Sequence, residues 1–179
     1  MKILYIGGAT RSGSTLTEMI LGNNPGFFSV GEVRYFWEHV QQGDIRCGCG
    51  QLLSECKFWS QIINSLQNEG VNFGQMSNLA MKLDRTRNLP WLSTSLDHFQ
   101  KREIDQFVSN LDILYTKINS LVGEKVIIDS SKLPSHLYLL RKIPQIDLHI
   151  LHLIRDGRAV AYSWNKRRKK DLAITTNTS

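Results

Sequence analysis

Residues 7–16, GGATRSGSTL, combine glycines with hydroxyl side chains directly after an apolar opening, MKILYI. Glycine permits a tight turn in which successive backbone N–H groups point at one oxyanion, and a helix that begins after the turn adds partial positive charge. Ser12, Ser14 and Thr15 supply hydroxyl donors, and Arg11 supplies a planar cation. These residue types in this order predict a site for a phosphate or a similar anion.

The spacing of Gly8, Gly13 and Thr15 nearly matches the nucleotide-binding P-loop pattern, G-x-x-x-x-G-K-[ST], but Ser14 stands where that pattern has lysine. In a P-loop, the lysine reaches the β- and γ-phosphates of a triphosphate. No clear carboxylate for Mg²⁺ ends another apolar strand, and Asp129 is the nearest candidate. We therefore expect a ligand with less charge than Mg-ATP, while a plain glycine–serine turn stays open as the alternative.

The segments around this loop alternate between strand and helix signals. Apolar runs predict strands at 2–6, 27–30, 125–131 and 147–156, and apolar periodicity predicts helices at 14–22, 102–123, 134–143 and 157–170. A strand, a glycine loop, a helix and a second strand form a βαβ unit, which implies parallel strands covered by helices. The predicted fold class is α/β, a P-loop-type three-layer αβα domain with a central parallel sheet, spanning residues 1–179.

Residues 35–102 interrupt this alternation and are rich in Asn, Gln and Ser. We predict an irregular helical insertion, with short helices near 54–68 and 76–85, that covers the ligand-binding edge of the sheet.

Polar groups follow the ends of four predicted strands, at Thr10-Arg11, Glu32, 129–132 and Arg155-Asp156. In open α/β sheets, ligands bind at the carboxyl ends of the strands. The agreement of four segments predicts that these residues share one site.

The composition fits one globular domain with an affinity for anions. The chain has 179 residues, 41% of them hydrophobic, a formal net charge of +6 and a pI of about 9.3. No segment approaches the ~20 apolar residues of a membrane span, and the N-terminal run is too short for a signal peptide. We expect a cytoplasmic protein. The basic run at 165–170 is interpreted as a solvated helix end, with no specific nucleic-acid partner.

The three cysteines, Cys47, Cys49 and Cys56, lie close together in CGCGQLLSEC. A structural zinc site usually has four ligands in wider cysteine pairs, and His39 could complete a set only if the fold brought it near. An odd count also argues against a disulfide framework. We predict free thiols and no metal.

Several segments together resemble sulfotransferases. TRSGSTLTEMILGNNPG is similar to their 5′-phosphosulfate-binding loop and helix, and LHLIRDGRAVAYS is similar to their 3′-phosphate-binding strand, turn and helix. GEVR resembles a segment of tyrosylprotein sulfotransferases, whereas CGCGQLLSECKFW and IDSSKLP resemble bacterial sulfotransferases with carbohydrate or other small acceptors. The matches cover both ends of the chain and leave residues 60–105 unmatched.

The resemblance implies the donor 3′-phosphoadenosine 5′-phosphosulfate (PAPS), whose transferred group bears one negative charge and needs no Mg²⁺ clamp. It implies that the 5′-phosphosulfate is held by Arg11, Ser12, Gly13, Ser14 and Thr15. It also implies that the 3′-phosphate is held by Arg155 and Ser163, although Arg155 could instead pair with Asp156.

Sulfuryl transfer also requires a base for the acceptor hydroxyl and a group that stabilises the leaving oxygen. By resemblance to the tyrosylprotein branch, Glu32 is the base and Lys132 the stabilising cation, with Arg11 as a third catalytic residue. Arg34 is a candidate contact to the acceptor. The rival bases are His39, His136, His149 and His152.

Sulfotransferases usually continue past the 3′-phosphate helix, whereas residues 169–179 contain no evident final strand. We therefore expect a domain that is incomplete at its C-terminus. The acceptor is expected to be a small-molecule, carbohydrate or peptide hydroxyl. Two other functions stay open: a P-loop kinase-like phosphotransferase and a catalytically inactive nucleotide-binding fragment.

Overall fold

The computed structural model of the protein describes residues 1–93 and 98–176, and the side chains of 93–99 and 167–176 are outside that description. Its centre is a parallel sheet in the order β2-β3-β1-β4. The strands are β1 (Lys2–Gly8), β2 (Phe27–Gly31), β3 (Val126–Lys132) and β4 (Asp147–Leu153).

Eight α-helices connect and cover these strands within the described ranges. They are α1 (Ser14–Gly22), α2 (Phe36–Gln42), α3 (Lys57–Asn68), α4 (Phe73–Leu83), α5 (Leu89–Ser93), α6 (His98–Val122), α7 (Pro134–Leu140) and α8 (Gly157–Thr176). Short 3₁₀ turns at Val33–Tyr35 and Thr86–Asn88 precede α2 and α5. The predicted α/β class and parallel sheet are confirmed, and no described helix has the length and apolar character needed to cross a bilayer.

Helices cover both faces of the sheet, as a three-layer arrangement requires. Ile3, Tyr5 and Ile127 belong to the main hydrophobic core, which includes residues of α6 and α7. Ile6 and Ile128 are also fully buried but point to the opposite face, where α1 packs against the sheet.

The predicted apolar stripe on α6 is confirmed. Its buried members recur at helical spacing, and they are Ile104, Phe107, Leu111, Leu114, Ile118 and Val122. This stripe contributes to the same core as the apolar residues of β1 and β3, and the Tyr115 hydroxyl of α6 donates a hydrogen bond to Asp129 of β3.

Helix α1 begins at Ser14, as predicted, but its apolar residues do not face the core. Leu16, Met19 and Ile20 are 58–64% exposed, whereas Glu18 is buried. The sheet presents the hydroxyl groups of Ser29 and Ser130 to α1, and both donate hydrogen bonds to the carboxylate of Glu18. The side of α1 that carries Glu18 therefore packs against the sheet, and the side that carries the apolar residues is exposed.

The segment 35–102 contains α2–α5 and the start of α6, and the predicted helices near 54–68 and 76–85 correspond to α3 and α4. Aromatic rings pack within this segment, with Phe36 and Trp59 centroids 5.3 Å apart. Helices α3 and α4 also contact α6, so these helices share the main core with the sheet.

Parallel pairing brings the carboxyl ends of all four strands to one edge. Gly8 pairs with Leu153, Gly7 with Lys132, and Gly31 with Asp129. The glycine loop, Glu32 and Arg155 follow these residues and therefore lie at the same edge of the sheet. This is the edge at which ligands bind in open α/β sheets.

Candidate functional site

The glycine loop between β1 and α1 is a turn with two residues in the left-handed region. Arg11 has φ 69° and Gly13 has φ 100°, and the Ser12 N–H donates to the Ala9 carbonyl at 3.2 Å. Helix α1 starts directly after Gly13, at Ser14. The free N–H groups of the first helical turn therefore face the loop, which is the arrangement that favours an anion.

Gly8 begins this loop because β1 and β4 approach each other closely there. A Cβ at Gly8 would lie 2.6 Å from the carbonyl oxygen of Leu153, which is closer than any carbon–oxygen contact allows. A side chain at this position would push the glycine loop away from β4.

Arg11 connects the glycine loop to the segment that contains Arg155 and Ser163. Its Nε donates a hydrogen bond to Ser163 Oγ on α8 at 2.9 Å, across 152 residues of chain. Nη1 of Arg155 donates to the backbone carbonyl oxygen of Arg11, also at 2.9 Å. Two segments that the sequence analysis singled out separately therefore form one structure.

Asp156 does not pair with Arg155, which was the alternative interpretation of that arginine. Its carboxylate accepts hydrogen bonds from Arg158 instead, at 2.8 Å from the backbone nitrogen and 2.9 Å from Nη2. These hydrogen bonds lower the pKa of the Asp156 carboxyl. Arg155 is exposed at the loop and lines the cleft described next.

A cleft of about 460 Å³ lies where these segments meet. Eight of the nine predicted site residues line it, and these are Arg11, Gly13, Ser14, Thr15, Glu32, Lys132, Arg155 and Ser163. Thr10, Leu16, Tyr35 and Trp164 complete its walls. The fold brings the predicted residues together, and their individual roles stay predictions.

Ser12, the ninth residue, has a buried hydroxyl group with no hydrogen-bond partner. Among the described residues, the other buried side-chain polar atoms without a hydrogen-bond partner are Trp37 Nε1 and His136 Nε2. Buried polar atoms almost always have partners in native structures. Because Ser12 does not line the cleft, its contact with the 5′-phosphosulfate stays a prediction.

Glu32 and Lys132 form an ion pair at the wall of the cleft, between Glu32 Oε1 and Lys132 Nζ. Glu32 directly follows β2 and Lys132 ends β3, and these strands are neighbours in the sheet. Lys132 has φ 68°, and with Arg11 it is one of two non-glycine residues with positive φ in the described ranges. Strain of this kind, about 1–3 kcal/mol per residue, is concentrated at functional sites.

Arg34 lies outside this cleft, next to a separate cavity of about 320 Å³. Its Nη1 donates to the Tyr35 hydroxyl at 2.8 Å, and its guanidinium stacks over the Tyr35 ring at 4.3 Å. Its Nε also lies 3.5 Å from Asp84 Oδ2. These contacts orient Tyr35, which lines the cleft.

A buried polar network lies beneath the sheet edge and has no signature in the sequence. His136 Nδ1 lies 3.0 Å from Asp84 Oδ2, and Ser135 Oγ donates to Asp84 Oδ1 at 2.7 Å. Burial lowers the pKa of His136, but the charge and hydrogen bond of Asp84 outweigh it and raise that pKa overall. His136 has no exposed surface, so it cannot reach an acceptor as a base. No sequence pattern marks Asp84 as its partner.

Asp129, the nearest candidate for a Mg²⁺ carboxylate, belongs to this buried network. Its carboxylate accepts hydrogen bonds from the Tyr115 hydroxyl at 2.5 Å, the Ser131 N–H at 2.8 Å and Ser131 Oγ at 2.5 Å. Asp129 is fully buried and does not line the cleft.

The other histidines occupy different surroundings. His149 and His152 are exposed on the edge strand β4. His39 stacks on Tyr35 with ring centroids 5.6 Å apart, and burial lowers its pKa.

A larger groove, of about 950 Å³, adjoins the cleft and shares Thr15, Glu32 and Tyr35 with it. His39, Trp59, Arg46, Cys47 and Cys49 are among its other lining residues. The shared residues place Glu32 between the two spaces.

The three cysteines converge, although they are spread over ten residues of sequence. Their Sγ atoms all lie within 4.8 Å of one another, and no other such group of metal-ligating side chains occurs in the described part of the chain. Burial raises the pKa of the Cys47 thiol to about 11. Burial also acts to raise the pKa of Cys56, but N–H donors from Trp59 and Phe58 and the neighbouring thiols lower it overall.

Comparisons of this chain with family models, with curated proteins and with solved structures found no match. The resemblance to sulfotransferases therefore rests on the motifs, and its functional content is a proposal.

Proposed function

We propose that this chain has a P-loop-type fold, binds PAPS and transfers its sulfuryl group to a hydroxyl acceptor. The hydrogen bond from Arg11 Nε to Ser163 Oγ is the observation that carries this proposal. It joins the glycine loop, which suits a phosphosulfate, to the Arg155–Ser163 segment, which suits a second phosphate. A ligand with anions at two ends requires two such segments at one cleft.

The charges of the cleft suit that ligand. Its lining contains the cations Arg11, Lys132 and Arg155 against one carboxylate, Glu32. The first-turn N–H groups of α1 are additional donors for oxyanions. Nucleotide anions are attracted to such a site.

Sulfuryl transfer breaks a sulfur–oxygen bond in the donor, forms one to the acceptor, and releases adenosine 3′,5′-bisphosphate and a proton. In the proposed function Glu32 accepts the proton of the acceptor hydroxyl. Lys132 stabilises the negative charge that remains on the departing phosphate oxygen. The Glu32–Lys132 ion pair supports these roles because it holds both groups at the same wall of the cleft.

The adjoining groove is the proposed acceptor site. It shares Glu32 with the cleft, so a hydroxyl in the groove can approach the proposed base. Its aromatic residues Tyr35, Phe36 and Trp59 and the cation Arg46 are features that suit a carbohydrate or peptide acceptor.

A P-loop kinase-like phosphotransferase is less well supported by the same geometry. Phosphoryl transfer uses a lysine and a Mg²⁺ carboxylate to neutralise the triphosphate. Here Ser14 replaces the lysine, and Asp129 is committed to buried hydrogen bonds.

Isothermal titration calorimetry with adenosine 3′,5′-bisphosphate, AMP and Mg-ATP tests the proposal. The bisphosphate should bind at least about tenfold more tightly than AMP, because charge-assisted hydrogen bonds to a second phosphate contribute about 1.5–3 kcal/mol. Tighter binding of Mg-ATP would favour the phosphotransferase, and equal binding of the bisphosphate and AMP would reject the second anion site. Transfer of radiolabelled sulfate from PAPS to a panel of sugar and tyrosine acceptors then separates an enzyme from an inactive binding fragment.

A further inference from the structure

The loop between α2 and α3 holds two cysteines on a tight turn. The Cys47 N–H donates to the Gln51 carbonyl and the Gly50 N–H donates to the Cys47 carbonyl, both at 2.8 Å. Gly50 has φ 89°, a left-handed conformation that favours glycine. The turn places Cys47 and Cys49 beside each other, and α3 brings Cys56 to them from its N-terminus.

The N-terminus of α3 lies at the sulfur cluster, because Cys56 is the N-cap residue of that helix. A helix N-terminus stabilises a negatively charged thiolate, which is the form in which cysteine binds a metal ion.

Neutral thiols are weak hydrogen-bond donors and acceptors, so three of them gain little from mutual contact. A metal ion changes this balance because it attracts all three sulfurs at once. Zinc–sulfur bonds are about 2.3 Å long, so tetrahedral geometry places sulfurs about 3.8 Å apart. The observed separations, all within 4.8 Å, need only a small adjustment to reach it.

We propose that Cys47, Cys49 and Cys56 bind one Zn²⁺ ion as thiolates. A water molecule from the groove completes the tetrahedron, since Cys47 and Cys49 line that groove and His39 is outside the sulfur cluster. The thiol protons are released to solvent when the metal binds. This proposal differs from the free thiols expected from the sequence, in which the cysteine spacing is tighter than in the usual zinc-binding pairs. It does not depend on the proposed nucleotide site.

The proposed role of the ion is to hold one wall of the groove. Residues 43–56 contain no helix, and the isolated Arg46–Leu52 bridge is their only strand-like pairing in the described structure. A metal ion bound by two cysteines of this segment and by Cys56 at the start of α3 would hold the segment in one conformation.

Metal content of the full chain tests the site directly. The protein is purified under a phosphine reductant, stripped with a chelator and titrated with Zn²⁺ and with Co²⁺ as a spectroscopic probe. One metal ion per chain and the intense visible absorption of tetrahedral cobalt thiolate are expected. Zn²⁺ should also raise the midpoint of thermal unfolding.

Cys49→Ser is the decisive variant, because Cys49 is exposed and its loss should not prevent folding. We expect its zinc affinity to fall more than about 100-fold, beyond the roughly 10–100-fold cost of losing a group that only hydrogen-bonds to a metal ligand. Gln51→Ser alters the same turn without removing a sulfur and should retain the metal. Wild-type protein with three free thiols and no bound zinc would overturn the proposal, as would a Cys49→Ser variant with unchanged affinity.

Discussion

Nη1 of Arg155 donates a hydrogen bond of 2.9 Å to the backbone carbonyl oxygen of Arg11, which lies 144 residues earlier in the chain. Only one of the five N–H donors of a guanidinium is needed for this bond, so further donors are available to an anion in the cleft. The same interaction fixes the carbonyl of a residue with positive φ. One arginine thus supports the glycine loop and faces the ligand cleft.

Arg155→Ala should weaken binding of adenosine 3′,5′-bisphosphate about 10- to 100-fold, because a charge-assisted hydrogen bond contributes about 1.5–3 kcal/mol. Calorimetric titration measures this change. Arg158→Ala is the matched control, since Arg158 lies in the same turn but pairs with Asp156. Equal affinities for the two variants would remove Arg155 from the anion site.

Glu32→Gln should lower turnover with PAPS about 100- to 10,000-fold, the usual contribution of a general base, while the Kd for adenosine 3′,5′-bisphosphate stays within about threefold. Steady-state transfer assays and calorimetry separate the two effects. Glu38→Gln is the control, because Glu38 lines the neighbouring cavity and not the cleft. A Glu32→Gln variant with near wild-type turnover would exclude Glu32 as the base.

Glu18→Ala should lower the free energy of unfolding by about 1–3 kcal/mol, because it leaves the buried Ser130 hydroxyl without its acceptor, whereas the exposed Ser29 hydroxyl can bond to water. Urea denaturation measures the change. Met19→Ala removes a larger apolar side chain that is 63% exposed, and its effect should stay within about 0.5 kcal/mol. The opposite ranking would show that α1 packs through its apolar face.

The stability contributed by His136 should depend on pH. Its pKa is raised in the folded protein above the ordinary 6.5, so its contribution is complete below that pH and is lost as the pH rises through the folded pKa. His136→Gln should therefore cost more stability at about pH 6 than at about pH 9, as measured by urea denaturation. The pKa of Asp84 is lowered from 3.8, so Asp84 stays ionised at both values and does not reverse the trend.

His149→Gln provides the comparison, because His149 is an exposed histidine on β4. Its effect on stability should stay within about 0.5 kcal/mol. If the cost of His136→Gln stayed constant or grew with pH, the buried imidazole would not be charged in the folded protein.

Local patterns were sufficient to predict the four strands and six of the eight described helices, but not α2 and α5. The β1, glycine loop and α1 unit follows from an apolar run, paired glycines and a stop at 22–25, all of which act over a few residues. The stripe on α6 was equally clear because helical periodicity repeats over 25 residues.

The orientation of α1 could not be predicted in the same way. Its sequence has an apolar face, but the sheet that it covers presents Ser29 and Ser130, which come from two different strands. Which face is buried depends on what lies opposite, and that information is distributed over distant segments.

The sequence by itself determined the chemistry available to this protein: a loop able to cradle an anion, cations after strand ends and three closely spaced cysteines. Only the tertiary structure decided which groups meet, through Arg11 with Ser163, His136 with Asp84, and the convergence of the sulfurs. The physical reason is that residue type and helical or strand periodicity are local properties. Contacts between distant residues are set by strand order, register and packing of the whole chain.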